Sequence, residues 1–68
     1  MERAELIAVV QKLLNADYSS EDERHQLLAL IERNVRHPYV SDLIFYPERE
    51  MTAEEIVDTA LAYEPIHL

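Results

Sequence analysis

His37-Pro38-Tyr39-Val40-Ser41-Asp42-Leu43-Ile44-Phe45-Tyr46-Pro47 carries the reading of this chain, because its two prolines decide what can lie between and around them. Pro38 pushes the residue before it, His37, out of the α region, so a helix arriving from the N-terminal side must stop there. Between Pro38 and Pro47 there is room for only one or two helical turns. Ser41 can cap that short piece, and Leu43 and Ile44 can pin it to a core.

Upstream, residues 20 to about 36 read as a longer helix. Ser20 followed by Glu23 is a capping box, and Glu21 and Asp22 add negative charge to the first turn, where the helix dipole favours it. Leu27, Leu28, Ile31 and Val35 form its apolar stripe, with Arg33 and Arg36 at the C-terminal end. Residues 2–15 read as another amphipathic helix, with Leu6, Val9, Val10, Leu13 and Leu14 at one-stripe spacing. The turn-favouring run Asn15-Ala16-Asp17-Tyr18-Ser19 separates the two. Downstream, Thr52 with Glu55 is a second capping box, opening a last helix through Ile56, Val57, Ala60, Leu61 and Tyr63, which Pro65 closes. The expectation is a single all-α domain over residues 1–68: three ordinary helices and one very short one around a shared apolar core.

Composition narrows the function classes. A chain of 68 residues without Cys has neither a disulfide framework nor a thiolate zinc site to reinforce its core. It contains no Gly, which argues against tight hairpins and Gly-rich phosphate loops. Fourteen acidic against six basic side chains give a formal charge of −8, a field that repels nucleic acid and anionic membranes and attracts basic partners. No apolar run approaches the ~20 residues of a membrane span, and Met1-Glu2-Arg3-Ala4-Glu5 lacks the features of a secretory signal. The expectation is a cytoplasmic protein.

Catalytic readings find little footing. Glu21, His25, Leu28 and Glu32 share one helix face, but one helix supplies too few ligands for a closed zinc site and Leu28 interrupts the array. His37 reads as packing or hydrogen-bonding at a helix end, and His67 as part of a frayed tail. Ser19, Ser20 and Ser41 are explained as turn or cap residues. Paired carboxylates abound, but a small bundle offers no obvious cleft to separate their pKa values. No catalytic residue, metal site or cofactor is expected. Phe45-Tyr46 is more telling, since two adjacent aromatics on a one-turn helix cannot both point into a small core. Either they serve a partner, or Phe45 plugs the core while Tyr46 lies on the surface.

The run His37 to Pro47 resembles the signature of the immunity proteins of DNase-type colicins and pyocins, commonly His-Pro-x-Gly-Ser-Asp-Leu-Ile-Tyr-Tyr-Pro, and departs from it only at Val40 and Phe45. Asn15-Ala16-Asp17 with Ser19-Ser20-Glu21 is similar to that family's junction of helices I and II, and residues 52–63 resemble helix IV. The resemblance implies a distorted antiparallel four-helix bundle with a very short third helix, and a role as inhibitor rather than enzyme. The implied partner is the basic nuclease domain of a cognate bacteriocin, bound 1:1 beside its active site, with DNA excluded by bulk and negative charge. Shared affinity maps onto Asp42, Phe45 and Tyr46, with Ser41 and Pro47 nearby. Choice of toxin maps onto Glu21, Arg24, His25, Leu28 and Glu32, with Arg24, His25 and Leu28 on one outward stripe.

Five departures accompany the resemblance. A stretch preceding helix I in the family has no counterpart; Phe45 lacks the hydroxyl of the first signature tyrosine; the connection before helix IV is shorter; and Tyr63 stands where the family has Trp. Val40 occupies a usual Gly position, and a β-branched residue would be costly there if the backbone needed positive φ. The competing readings are an acidic helical interaction module or DNA mimic serving another basic partner, and a metal- or carboxylate-dependent hydrolase, which would need a cleft and a bound ion.

Overall fold

A computed structural model describes residues 1–63. The chain is a small helical bundle of four helices in this stretch: α1 (Arg3–Leu14), α2 (Glu21–Asn34), α3 (Val40–Phe45) and α4 (Ala53–Ala62). α1 packs on both α2 and α4, and the short α3 reaches all three of the others.

The core is apolar throughout. Leu6, Val10 and Leu13 from α1 meet Ile31 from α2, Val40 and Ile44 from α3, and Ala53, Ile56, Val57 and Ala60 from α4. No polar side chain is buried among the described residues. α2 contributes a single fully buried residue; Leu27, Leu28 and Val35 only rest against the core, which leaves most of that helix facing outward. Two leucines assigned to apolar stripes, Leu14 and Leu61, are exposed instead, at 37% and 46%. Each lies at the edge of its stripe and next to the helix end.

The ends of the helices follow hydrogen-bond chemistry closely. At α4 the expected box is complete: Glu55 N–H donates to Thr52 Oγ1 (3.2 Å) and Thr52 N–H to Glu55 Oε1 (3.3 Å). At α2 only half of it forms. Glu23 N–H donates to Ser20 Oγ (3.2 Å), but the Glu23 carboxylate reaches past Ser20 to accept from both the N–H and the hydroxyl of Ser19. α1 ends in a Schellman arrangement, with Asp17 N–H donating to the Lys12 carbonyl (2.8 Å) and Ala16 N–H to Leu13 (3.3 Å). That geometry puts Ala16 at φ 54°, a left-handed position that Gly would occupy more cheaply.

Boundaries shift in all four helices. α1 is one residue shorter at each end than the 2–15 reading. α2 ends at Asn34, not near Arg36: the Asn34 side-chain amide donates to the Leu30 carbonyl (2.7 Å), and Val35 turns extended to pack on the core. Ser41 does not cap α3. The N-cap is Tyr39, whose carbonyl accepts from Asp42 and Leu43 N–H, because burying Val40 (1% exposed) requires the helix to begin two residues earlier than a Ser41 cap would allow. Val40 is thus helical, without positive φ, so the replacement of the signature Gly costs no backbone strain and adds a core contact. Tyr63 caps α4 rather than belonging to it, while Pro65 and His67 lie outside the described residues.

Candidate functional site

The residues singled out on the second and third helices form two sets joined at one point. On α2, Glu21, His25 and Glu32 are exposed, whereas Arg24 and Leu28 are half-buried. On and after α3, Asp42, Tyr46 and Pro47 are exposed, whereas Ser41 and Phe45 are half-buried. The joint is Arg24 lying over Phe45, its guanidinium carbon 4.4 Å from the ring centroid. A cation over a ring face at this distance is attractive, and the contact is worth about 0.5–1 kcal/mol at exposed sites.

The two aromatics divide their work. Phe45 packs against the core, while Tyr46 is 80% exposed and stands clear of it. The expected outward stripe of Arg24, His25 and Leu28 splits in the same way. His25 faces solvent, Arg24 is turned onto Phe45, and Leu28 leans on the core. Leu28 therefore carries fold stability as well as surface.

Asp42, Tyr46 and Pro47 line an open groove, whose far wall is built from the α3–α4 connection and α4. A small bundle thus does offer a concavity, although a broadly open one. Ser41 lies outside it. Two of its other residues, neither expected to bind a partner, shape it. Tyr39, 66% exposed, shares the groove with Tyr46 and Asp42. The spacing 39, 42, 46 is a helical one, i, i+3 and i+7, and could have been read from the sequence once α3 was taken to begin at Val40. His37 anchors the near end: its Nδ1 accepts from Tyr39 N–H (3.0 Å) and its ring packs against Tyr63 at 4.9 Å between centroids. His37 thus serves at a helix end in the manner its position suggested.

Charge is held at several points around these helices. Hydrogen bonds from Ser19 keep the Glu23 carboxyl below its ordinary pKa at the start of α2. Arg49, bonded to Glu55 Oε2 at 2.9 Å and adjacent to the α4 cap, does the same for Glu55. Between α1 and α4, Arg3 grips Asp58 with two hydrogen bonds of 2.7 and 2.9 Å and lowers its pKa. Being exposed, these pairs tune local charge more than they hold the fold. Among the described residues no group of three or more His, Asp and Glu is placed to hold a metal ion, and no helix is long and apolar enough to cross a membrane.

An exposed tyrosine among carboxylates on a short helix lies beside an outward-facing acidic helix, and the whole is a small helical bundle. The family profile described as colicin immunity protein / pyocin immunity protein matches residues 1–65. The chain belongs to that family, one of inhibitory immunity proteins, and an immunity-type role follows. An uncharacterised protein of Bacillus subtilis (strain 168), YezA, is 41% identical over 63 residues, covering 91% of this chain and 90% of its own length. No solved structure matches the chain significantly.

Proposed function

We propose that the chain neutralises the nuclease domain of a cognate bacteriocin in the cytoplasm of the cell that makes it. One copy binds one toxin domain through α2 and α3, beside the active site, and excludes DNA by bulk and negative charge. The observation that carries this reading is the exposure of Tyr46 and Asp42 on a helix held in place from behind by Val40 and Ile44. A rigid aromatic presented this way supplies contact area at little conformational cost, and tyrosine is enriched among interface hot spots, while the carboxylate beside it suits a basic partner.

In this reading Asp42, Phe45, Tyr46 and Pro47, with Ser41 at the margin, provide shared affinity. Glu21, Arg24, His25, Leu28 and Glu32 select the toxin. Arg24 has an added part: it lays donor groups over Phe45, where the signature tyrosine would have offered a hydroxyl. The −8 charge favours approach of a basic nuclease and raises association rate as well as fit.

The test is a plasmid-cleavage assay with nuclease toxin domains encoded beside genes for this chain and its relatives. Inhibition that is complete at one equivalent supports the proposal. If every such nuclease cleaves at its full rate in the presence of excess chain, the acidic module or DNA mimic serving another basic partner takes its place.

A further inference from the structure

The face of α3 turned toward α4 carries more than the shared-affinity residues. Tyr39 and Tyr46, the N-cap and C-cap of α3, are the two most exposed large hydrophobic side chains among the described residues, at 66% and 80%. Neither ring is needed to hold α3, which Val40 and Ile44 anchor. Seven residues of helical rise set their backbones about 10 Å apart along the axis. Asp42 falls between them on the same side, and all three line one groove with His37, Glu48 and Arg49.

The charges of that groove are unevenly met. Arg49 spends its guanidinium on Glu55, at 2.9 Å. Among the described residues no ion pair or side-chain hydrogen bond engages the carboxylates of Asp42 or Glu48. The groove therefore offers two aromatic faces and uncompensated negative charge. An anion would be repelled. An apolar side chain would strip water from Asp42 and return no hydrogen bond. A cation gains from both features, since ring faces attract positive charge and a carboxylate forms its strongest hydrogen bonds with ionised donors. A guanidinium suits the site better than an ammonium, because it is planar, less strongly hydrated and able to stack on a ring while donating at its edge.

We propose that this groove receives one arginine side chain of the bound protein, flanked by Tyr39 and Tyr46 and paired with Asp42, so that Tyr39 is a contact residue in its own right. The inference rests on the reading of the chain as a binder of a basic protein, and it names both the partner's group and the place it occupies.

The experiment is a titration of the full chain, followed by backbone amide NMR shifts, with the capped tripeptide Ala-Arg-Ala. The same peptide with citrulline, which keeps the shape and loses the charge, is the control. Saturable shifts confined to residues 37–49, strong for arginine and weak for citrulline, are expected. Tyr39→Ala should weaken arginine binding about two- to fivefold, the worth of one exposed cation–π contact, and Asp42→Asn at least as much. Both sites are exposed, and unchanged melting temperatures verify that the variants fold. Equal response to the two peptides, shifts centred elsewhere, or a Tyr39→Ala variant that binds as the parent overturns the inference. None of these outcomes bears on nuclease inhibition, so the two readings fail separately.

Discussion

Replacing Val40 by Gly restores the residue that the signature usually carries at this position, and the structure says it should destabilise the fold severely. Val40 is 1% exposed, within the first turn of α3, and in contact with the common core. Loss of a fully buried valine side chain costs about 1.5–3 kcal/mol. Gly inside a helix adds about 0.5–1 kcal/mol relative to Ala through the backbone freedom it loses on folding. The expected loss is thus about 2–4 kcal/mol, against a total stability of roughly 3–10 kcal/mol for a domain of this length. With about 4–8 °C of melting temperature per kcal/mol, a drop of at least ~8 °C should be seen. Urea and thermal unfolding followed by far-ultraviolet circular dichroism measure it, with Val40→Ala as the reference that isolates the backbone share. The order should be native above Val40→Ala above Val40→Gly. If Val40→Gly were as stable as Val40→Ala or more so, residue 40 would have to be in the left-handed region and the first turn of α3 would be misplaced.

The same type of substitution should act in the opposite sense at Ala16, whose φ of 54° is left-handed: Ala16→Gly should raise stability by up to about 1 kcal/mol, after the extra unfolded freedom of Gly is subtracted, as read in urea melts. Tyr46→Ala should weaken the toxin complex by at least ~2 kcal/mol in a calorimetric titration while leaving the melting temperature near the parent's, since the ring is 80% exposed. Exchange of Arg24, His25 and Leu28 together for aliphatic residues should change toxin preference, and, because Leu28 rests on the core, an accompanying shift in melting temperature should trace to that position alone when the single variants are compared. Glu23, Glu55 and Asp58 are held below their ordinary values of 4.5, 4.5 and 3.8 by Ser19, Arg49 and Arg3 respectively. A carboxyl depressed in the folded state contributes stability that is full above its unfolded pKa and lost as pH falls through the lower folded one. Urea midpoints should therefore be level above about pH 5 and decline on acidification, less steeply in Asp58→Asn.

Local rules account for the division of the chain into elements. Pro38 and Pro47 confine α3 to a few residues, and Ser20 with Glu23 and Thr52 with Glu55 mark two helix starts, because these constraints act within three or four residues of backbone and need no partner helix. Leu6, Val10, Leu13, Ile31, Ile44, Ile56, Val57 and Ala60 were readable as core from helical spacing for the same reason. The exchange of Val for Gly at position 40 was visible as a departure but not as a core contact. Spacing gives the direction of a side chain only once the first helical residue is known, and the start at Val40 follows from the pull of the core.

Packing between helices decided the rest. Periodicity places Leu14 and Leu61 on apolar stripes, yet burial depends on how closely the rest of the chain packs over each end of the helix, and both remain exposed. Arg24 and Phe45 lie on separate helices, and their contact arises from the way α3 settles against α2, a matter of helix position that neither segment encodes alone. The groove that joins Tyr39, Asp42 and Tyr46 to Glu48 and Arg49 likewise exists because the α3–α4 connection folds back beside α3. Short-range sterics and capping act through the covalent neighbourhood, so they can be read along the chain. Coverage, stacking and concavity belong to surfaces that meet only after the chain has folded.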